Sequence, residues 1–285
     1  MFGAILGDII GSPYEFDRNN IKTKNFSLFS RKSQATDDSI MTIAIAKALM
    51  TSNLDDEEEI KRNIVINMQT YGRKYPWAGY GAKFHAWLFS RNPKPYNSYG
   101  NGSAMRVSSA AWLANSLEEV EKLAQFSAEV THNHPEGIKG AQSVAAAIYL
   151  ARTGHTKSEI KEYISQKYGY DLTKTCDEIR PTYHHMESCQ DTVPQAFAAF
   201  FEGKDFEDVI RYGVSLGGDT DTLVAIAGSI AEGYYDIPVE LLSRIRNFLP
   251  ADLMSITEEF AKLQPKRIHR EPKTLVEKLS GKEGK

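Results

Sequence analysis

Apolar residues recur at helical spacing along most of the chain, and short segments rich in Gly, Pro and capping residues separate the periodic runs. Alternating β-branched runs joined by hairpin turns do not occur in the sequence, so the pattern predicts an all-α fold. Helices are predicted in the segments MFGAILGDIIGS, ATDDSIMTIAIAKAL, DDEEEIKRNIVINMQTYG, SLEEVEKLAQFSAEV, GIKGAQSVAAAIYLAR, TKSEIKEYISQKYG, DTVPQAFAAFFEG, DFEDVIRYGVS, SLGGDTDTLVAIAGS, PVELLSRIRNFL and ADLMSITEEFAKLQ.

Capping residues and glycines predict where several of these helices begin and end. Ser116 is a typical N-cap residue, and Thr156 with Glu159 forms a capping box. Gly72 and Gly169 are predicted to end the helices in which they come last.

Glycines recur at every fourth position of the first predicted helix, at Gly3, Gly7 and Gly11. One face of that helix therefore carries no side chain, and a second backbone can approach it closely. We expect this face to pack tightly inside a helical core. Asp8 lies on another face and is expected to be structural.

The composition is that of a globular protein without a strong charge preference. With 285 residues, 41% of them hydrophobic, the chain can bury a sizeable core. We predict a single compact multi-helix domain over residues 1–264 and a basic tail over residues 265–285. The net charge of -3 provides no basic field, so nucleic acid is not an expected partner.

The cysteines and the N-terminal stretch bear on location. Cys176 and Cys189 lack CxxC spacing, so neither a disulfide framework nor a thiolate zinc site is predicted, which favours a cytoplasmic location. The N-terminal stretch has no basic leader, contains Asp8 and is too short to span a bilayer. We therefore expect no membrane association, and we expect a monomer.

Two predicted helices begin with more acids than a helix start needs. Residues 36–38 (TDD) precede one apolar helix, and residues 219–222 (DTDT) precede another. One such group is usually an N-cap, but each start offers more acceptors than one helix end can use. Gly217 and Gly218, just before the second start, allow backbone conformations that could aim both acids into one site.

The surplus acids predict a metal site if the fold brings the two helix starts together. Four carboxylates in one small volume would repel each other strongly or would take up protons. Two Mg²⁺ ions would neutralise them, with Mn²⁺ as an alternative, because carboxylate and hydroxyl oxygens are the ligands that such ions prefer.

Five motifs, GDIIGSPYE, TDDS, YGNGSAMR, THNHP and LGGDTDT in this order, resemble those of the ADP-ribosylglycohydrolase family, the relatives of dinitrogenase reductase-activating glycohydrolase. The resemblance runs from Phe2 to about Gly233. It implies an all-α fold with a dinuclear magnesium centre in a cleft. The metal ligands that it implies are Thr36, Asp37, Asp38, Asp219, Asp221 and Thr222, whereas Thr220 is expected to be structural.

The segment PYNSYGNGSAMR could be a flexible loop, as clusters of Gly, Asn and Ser often are. The resemblance implies instead that it holds the diphosphate and riboses of ADP-ribose, with Tyr99 against the adenine or a ribose. The substrate-binding residues that it implies are Ser98, Tyr99, Gly100, Asn101 and Gly102, together with His132 of THNHP at a ribose or phosphate. His134 has no assigned role, and His184 and His185 are expected to be surface or loop residues.

Glu15, in GSPYEFD, could be a solvated loop acid. The resemblance makes it a proton-transfer residue beside the metal centre, where neighbouring carboxylates would favour its protonated form. Asp38, if incompletely coordinated, could take this catalytic role instead, and the sequence leaves both assignments open.

These implications predict a metal-dependent hydrolase that cleaves the glycosidic bond between ADP-ribose and an acceptor, either a protein side chain or a small conjugate. Residues 97–99 (NSY) carry no carboxylate, which favours an O-linked acceptor over arginine. Two alternatives remain open. One is a non-catalytic relative that binds ADP-ribose, and the other is a metal-dependent phosphohydrolase that acts on a nucleotide diphosphate.

Overall fold

The computed structural model describes residues 1–268, and within them the fold is all-α, as predicted. The described residues contain one isolated β-bridge, between Gly100 and Ser188. No helix within residues 1–268 is long and apolar enough to cross a membrane. The helices are α1 (Phe2–Gly11), α2 (Asp37–Met50), α3 (Glu57–Lys74), α4 (Ala82–Phe89), α5 (Gly102–Met105), α6 (Ser108–Leu113), α7 (Leu117–Glu129), α8 (Pro135–Arg152), α9 (Lys157–Tyr168), α10 (Cys176–Ile179), α11 (Cys189–Glu202), α12 (Phe206–Leu216), α13 (Thr220–Tyr234), α14 (Val239–Arg244) and α15 (Ala251–Ala261), with 3-10 turns at Ser12–Tyr14, Asp17–Asn19 and Ile245–Asn247.

Helix α13 lies at the centre of the fold. Every residue from Thr220 to Gly233 is buried, and the helix packs against α1 most extensively and also against α8, α11 and α12. Helix α2 is almost as buried and packs against α1, α3 and α15. A helix that is apolar on all sides is stable only when other elements surround it. Both helices with acidic starts are therefore internal.

The glycine face of α1 explains how closely α1 approaches α13. A Cβ atom at Gly7 would lie 2.5 Å from the carbonyl carbon of Val224, and one at Gly11 would lie 2.7 Å from Cα of Asp221. Real Cβ atoms do not approach other atoms so closely, so no side chain fits at either position. The predicted close approach of a second backbone is confirmed, and it places α1 directly beside the acidic start of α13.

Replacing Gly7 with alanine is expected to destabilise the protein strongly, because the added methyl group meets backbone atoms that cannot move away. We expect the free energy of unfolding to fall by about 3 kcal/mol, the upper end of what overpacking a core usually costs, and the melting temperature to fall by roughly 10 °C. Gly81→Ala is the matched control, since its Cβ would meet nothing within 4 Å. Equal melting temperatures for the two variants would contradict this role of Gly7.

Several predicted helix boundaries are confirmed. Ser116 caps α7, and Thr156 with Glu159 forms the capping box of α9, which ends at Gly169 with φ of +70°. Gly72, in contrast, does not end its helix.

Helix α3 continues two residues past Gly72, to Lys74, and this glycine makes room for a neighbour instead of ending the helix. A Cβ atom at Gly72 would lie 2.5 Å from Cδ2 of Leu88 on α4.

The segment predicted as one helix, PVELLSRIRNFL, divides into α14 and the 3-10 turn Ile245–Asn247. Helices α4, α5, α6 and α10 were not predicted, since each is short.

The beginning of the predicted basic tail contacts the rest of the fold. The backbone N–H of Ile268 donates to the carbonyl of Arg152 at 2.8 Å, and Arg267 forms an ion pair with Asp236. Residues 269–285 of that tail lie outside the described residues. The boundary at residue 264 stays a prediction.

Candidate functional site

The acidic starts of α2 and α13 meet inside the protein. Thr36 is the N-cap of α2, and its hydroxyl accepts from the N–H of Asp38 at 3.3 Å. The hydroxyl of Thr222, in the first turn of α13, donates to Oδ2 of Asp38 at 3.1 Å. The structure therefore brings together two motifs that lie 184 residues apart at this contact.

A cleft of about 460 Å³ opens over the two helix starts. It is large enough for the sugar and phosphates of a nucleotide-sized ligand. Thr36 and Tyr99 are the two predicted site residues that do not line it. The predicted site residues that do are Glu15, Asp37, Asp38, Ser98, Gly100, Asn101, Gly102, His132, Asp219, Asp221 and Thr222.

A glycine turn and one asparagine aim the start of α13 into the cleft. Gly217 and Gly218 have φ of +76° and +79°, so the special backbone conformations expected of them are present. The N–H of Gly218 donates to Oδ1 of Asn20 at 2.8 Å, and Nδ2 of Asn20 donates to the carbonyl of Tyr14 at 2.8 Å. Asn20 thus ties the segment that carries Glu15 to the second acidic start, a role that the sequence did not indicate.

Thr220 and Asp8 are structural, as expected. The Thr220 hydroxyl donates to the carbonyl of Tyr14 at 3.0 Å. Asp8 is fully buried and accepts hydrogen bonds from the N–H and hydroxyl groups of both Thr36 and Ser39. Burial raises the pKa of Asp8 to about 6, against the lowering effect of these bonds. Asp8 therefore anchors the start of α2 to α1. The hydroxyl group of Thr36 donates its hydrogen to Asp8.

The acids in the cleft lack enough protein partners for their charge. Asp38 and Asp221 are 2% and 4% exposed, and Oδ1 of each has no hydrogen-bond partner within the described residues. Burial, together with the neighbouring carboxylates, raises the pKa of Asp37, Asp38 and Asp221 well above the usual range. Burial also raises the pKa of Asp219. Orphaned buried oxygens of this kind require either protons or cations.

Glu15 belongs to the same cluster. Oxygen atoms of Glu15, Asp219 and Asp221 lie within 4.8 Å of one another. Partial burial, followed by the charge of Asp219, raises the pKa of Glu15 to about 7. The donor set consists of carboxylates alone, which fits Mg²⁺ or Mn²⁺. The structure thus places Glu15 close enough to two predicted metal ligands, Asp219 and Asp221, to share an ion with them.

The metal-free protein is expected to lose stability as the pH rises. A carboxyl group whose pKa is higher in the folded than in the unfolded state stabilises the fold below its unfolded pKa, and this contribution is lost as the pH passes through the folded value. The loss begins near the unfolded pKa values of about 4 and is nearly complete by about pH 7, because folding raises the pKa of Asp8 to about 6 and that of Glu15 to about 7. Thermal unfolding in a chelator should give a melting temperature several degrees lower at pH 8 than at pH 5. A melting temperature that rises over this range would show that ionisation of these buried carboxyl groups does not destabilise the fold.

The glycine-rich loop lines the cleft beside the acids, and the side chains of Asn101 and Tyr99 have partners within the protein. Nδ2 of Asn101 donates to Oδ2 of Asp219 at 2.6 Å and to the hydroxyl of Thr192 at 3.1 Å, so its side chain positions Asp219. Tyr99 is 51% exposed, and its ring packs edge-on against His134 at 5.3 Å. Its contact with an adenine or ribose stays a prediction.

His132 is buried in the wall of the cleft, and its predicted contact with a ribose or phosphate stays a prediction. It is 5% exposed, and burial followed by the charge of Arg106 holds its pKa well below the usual range. Arg106, the last residue of the YGNGSAMR motif, also lines the cleft although no role was predicted for it.

His185 lies in a loop, as expected, and its side chain also lines the cleft, where no role was predicted for it. Its ring packs 5.0 Å from that of Phe16, and its Nε2 lies 3.2 Å from Oε1 of Glu187. Burial opposes the charged ring, but the hydrogen bond to Glu187 and nearby acids raise its pKa. No local pattern in the sequence indicated this arrangement, because it depends on contact between distant segments.

Comparison with known proteins identifies the family of this chain. The family model for ADP-ribosylglycohydrolase matches residues 1–270. The chain is 29% identical to human ADP-ribosylhydrolase ARH3, over 82% of this chain and 83% of that protein. It is 24% identical to ADP-ribosylarginine hydrolase Tri1 of Pseudomonas putida (strain GB-1), over 83% of this chain and 70% of that protein.

The fold has a counterpart among solved structures. An ADP-ribosylglycohydrolase-related protein complex superimposes with a TM-score of 0.69 and 19% identity, covering 92% of this chain and 96% of the other. At this level of identity the likeness concerns the fold alone. The family assignment depends on the family model, which covers nearly the whole chain, and on the motifs that meet in the cleft. The chain therefore belongs to the ADP-ribosylglycohydrolase family.

Proposed function

We propose that this protein is a metal-dependent hydrolase that cleaves the glycosidic bond between ADP-ribose and an acceptor. The observation that carries the proposal is the contact between the starts of α2 and α13, which leaves buried carboxylate oxygens of Asp38 and Asp221 without protein partners among the described residues. Family membership supports the substrate, since the human and Pseudomonas putida relatives are both named as ADP-ribosyl hydrolases.

The residues that would hold two divalent ions are Thr36, Asp37, Asp38, Asp219, Asp221 and Thr222. Bound there, Mg²⁺ or Mn²⁺ would supply Lewis-acid polarisation and a template for the sugar hydroxyls. Asn101 and the Gly217-Gly218 turn hold Asp219 in place, so this part of the site is organised before a ligand arrives.

The other wall of the cleft suits the diphosphate. Gly100 and Gly102 let the backbone come close to phosphate oxygens. Lys83, in the first turn of α4, is an exposed cation that lines the cleft and would offset the phosphate charge. We place the diphosphate between this lysine and the glycine-rich loop, and the terminal ribose over the acids.

Glu15 is a partly accessible acid at the cleft and is the proposed proton-transfer residue. It is only partly buried, whereas Asp38 and Asp221 are almost completely buried. A carboxylate that reaches the sugar from the open side of the cleft can remove a proton from water or give one to the departing acceptor. Asp38 keeps a hydrogen bond from Thr222 and is better placed as a ligand.

We propose an O-linked acceptor, because residues 97–99 carry no carboxylate that would pair with a guanidinium group. The test is release of free ADP-ribose from serine-linked and arginine-linked peptides, with Mg²⁺ and with a chelator. We expect release from the serine-linked peptide only, and only with metal. Release from the arginine-linked peptide alone would overturn the acceptor assignment but not the hydrolase.

The same experiment separates the alternatives. A phosphohydrolase would leave a phosphoribosyl group on the peptide and release AMP, which mass spectrometry distinguishes from ADP-ribose. A non-catalytic relative would bind ADP-ribose in calorimetry and release nothing from either peptide. Either result would overturn the proposed function.

A further inference from the structure

Three buried side chains form a hydrogen-bonded chain that ends at the cleft. Nη2 of Arg106 donates to the hydroxyl oxygen of Thr131 at 2.8 Å, and that oxygen lies 2.7 Å from Nδ1 of His132. Nη2 also donates to the carbonyl of Ser127 at 2.8 Å. Arg106, Thr131 and His132 are 1%, 0% and 5% exposed, so water does not compete for these bonds.

The direction of the bonds follows from the donors available. A guanidinium group has only hydrogen-bond donors, so the oxygen of Thr131 must accept from Arg106. The hydroxyl has one hydrogen, and Nδ1 of His132 lies within hydrogen-bond distance with a lone pair to accept it. Leaving that hydrogen unpaired in a buried place would cost free energy. Nδ1 therefore accepts, and the proton of the neutral ring is on Nε2.

Nε2 of His132 faces the glycine-rich loop. A Cβ atom at Gly102 would lie 3.3 Å from Nε2, and one at Gly100 would lie 3.5 Å from it. His132 lines the cleft, and within the described residues no group accepts a hydrogen bond from Nε2. The N–H is thus available for an acceptor that enters between the loop and the ring.

We propose that Arg106 and Thr131 are positioning residues that fix His132 as the neutral Nε2–H tautomer, which donates a hydrogen bond to a diphosphate oxygen of ADP-ribose. This inference rests on the proposed function for the identity of the ligand. The tautomer itself depends only on the contacts within the protein. The low pKa of His132, due to burial and the charge of Arg106, agrees with a ring that stays neutral.

The opposite tautomer would have a different effect on the ligand. With its proton on Nδ1, the ring would direct the lone pair of Nε2 toward a negatively charged oxygen, and the two would repel each other. Thr131 therefore determines whether His132 attracts or repels the diphosphate, although it does not touch the ligand.

The test combines nitrogen NMR of the histidine ring with calorimetry, on the full-length protein. Ring nitrogen shifts, assigned by comparison with His132→Asn, should show the neutral Nε2–H form in the wild type and in Thr131→Ser, which keeps the hydroxyl. In Thr131→Val, which loses it, we expect the two tautomers to mix. ADP-ribose affinity should fall in Thr131→Val by the factor that the Nε2–H form loses in population, about twofold for an equal mixture, and stay unchanged in Thr131→Ser.

A protonated ring or an Nδ1–H ring in the wild type at pH 7 would overturn the inference, as would wild-type affinity in Thr131→Val. Metal content should be equal in all three proteins, since none of these residues belongs to the acidic cluster. If wild-type protein bound no ADP-ribose at all, the proposed function would fail, whereas the NMR result would still decide the tautomer.

Discussion

Replacing Asp221 with asparagine is expected to lower turnover by roughly 10³-fold or more, because several kcal/mol of transition-state stabilisation depend on the bound metal. Asparagine keeps the shape of the side chain but removes its negative charge. Asp221 is only 4% exposed, and its Oδ1 has no hydrogen-bond partner among the described residues. Asp38→Asn should act similarly. The measurement is the initial rate of ADP-ribose release over a range of Mg²⁺ concentrations.

The same substitution should make the metal-free protein more stable. It removes one of several neighbouring carboxyl groups. Burial and repulsion between these groups raise the pKa of Asp221, which shows that its negative charge is unfavourable there without a metal. We therefore expect a higher melting temperature in chelator, and a smaller increase when Mg²⁺ is added. Asp55→Asn, which removes a charge on the protein surface, is the matched control and should change neither property. Unchanged turnover in both Asp38→Asn and Asp221→Asn would exclude a metal site at the helix starts.

Replacing Glu15 with glutamine is expected to lower kcat by about 10²- to 10³-fold, the usual contribution of a general acid or base. Because the glutamine amide is the same size, the cleft should keep its shape, and the ADP-ribose dissociation constant should stay within about threefold. Single-turnover kinetics with the serine-linked peptide would measure the chemical step, and calorimetry would measure binding.

The position of Glu15 makes the metal affinity the decisive control. Its carboxylate lies within 4.8 Å of ligand atoms of Asp219 and Asp221, close enough to share an ion with them. If glutamine at this position weakens metal binding as strongly as Asp221→Asn does, Glu15 is a ligand and Asp38 becomes the proton-transfer residue to test. If metal binding is retained and only kcat falls, Glu15 is the proton-transfer residue.

The sequence predicted the features that depend on local patterns. Helical periodicity gave the all-α fold, and the glycines of α1 predicted its contact with a second backbone, which is that of α13. The surplus of acids at residues 36–38 and 219–222 predicted a metal site on the condition that the fold brings the two helix starts together. Each of these follows from residues that are neighbours on one helix, where spacing along the chain determines which side chains lie together.

The features that the sequence did not predict depend on contacts between distant segments. Asn20 reaches Gly218, and His185 packs against Phe16, but neither contact has a signal in the local pattern. Asn101 belongs to a motif that implied substrate contact, yet its amide is used by Asp219, a residue 118 positions away. A motif identifies residues that matter to a site, whereas the partner of each side chain depends on the whole fold.

The most direct test of whether the two helix starts form one metal centre is anomalous diffraction from crystals grown with Mn²⁺. We predict two anomalous peaks in the cleft, bounded by Asp37, Asp38, Asp219 and Asp221, and the loss of at least one peak in crystals of Asp221→Asn. Crystals of active protein without an anomalous peak between these four carboxylates would contradict the proposed metal centre.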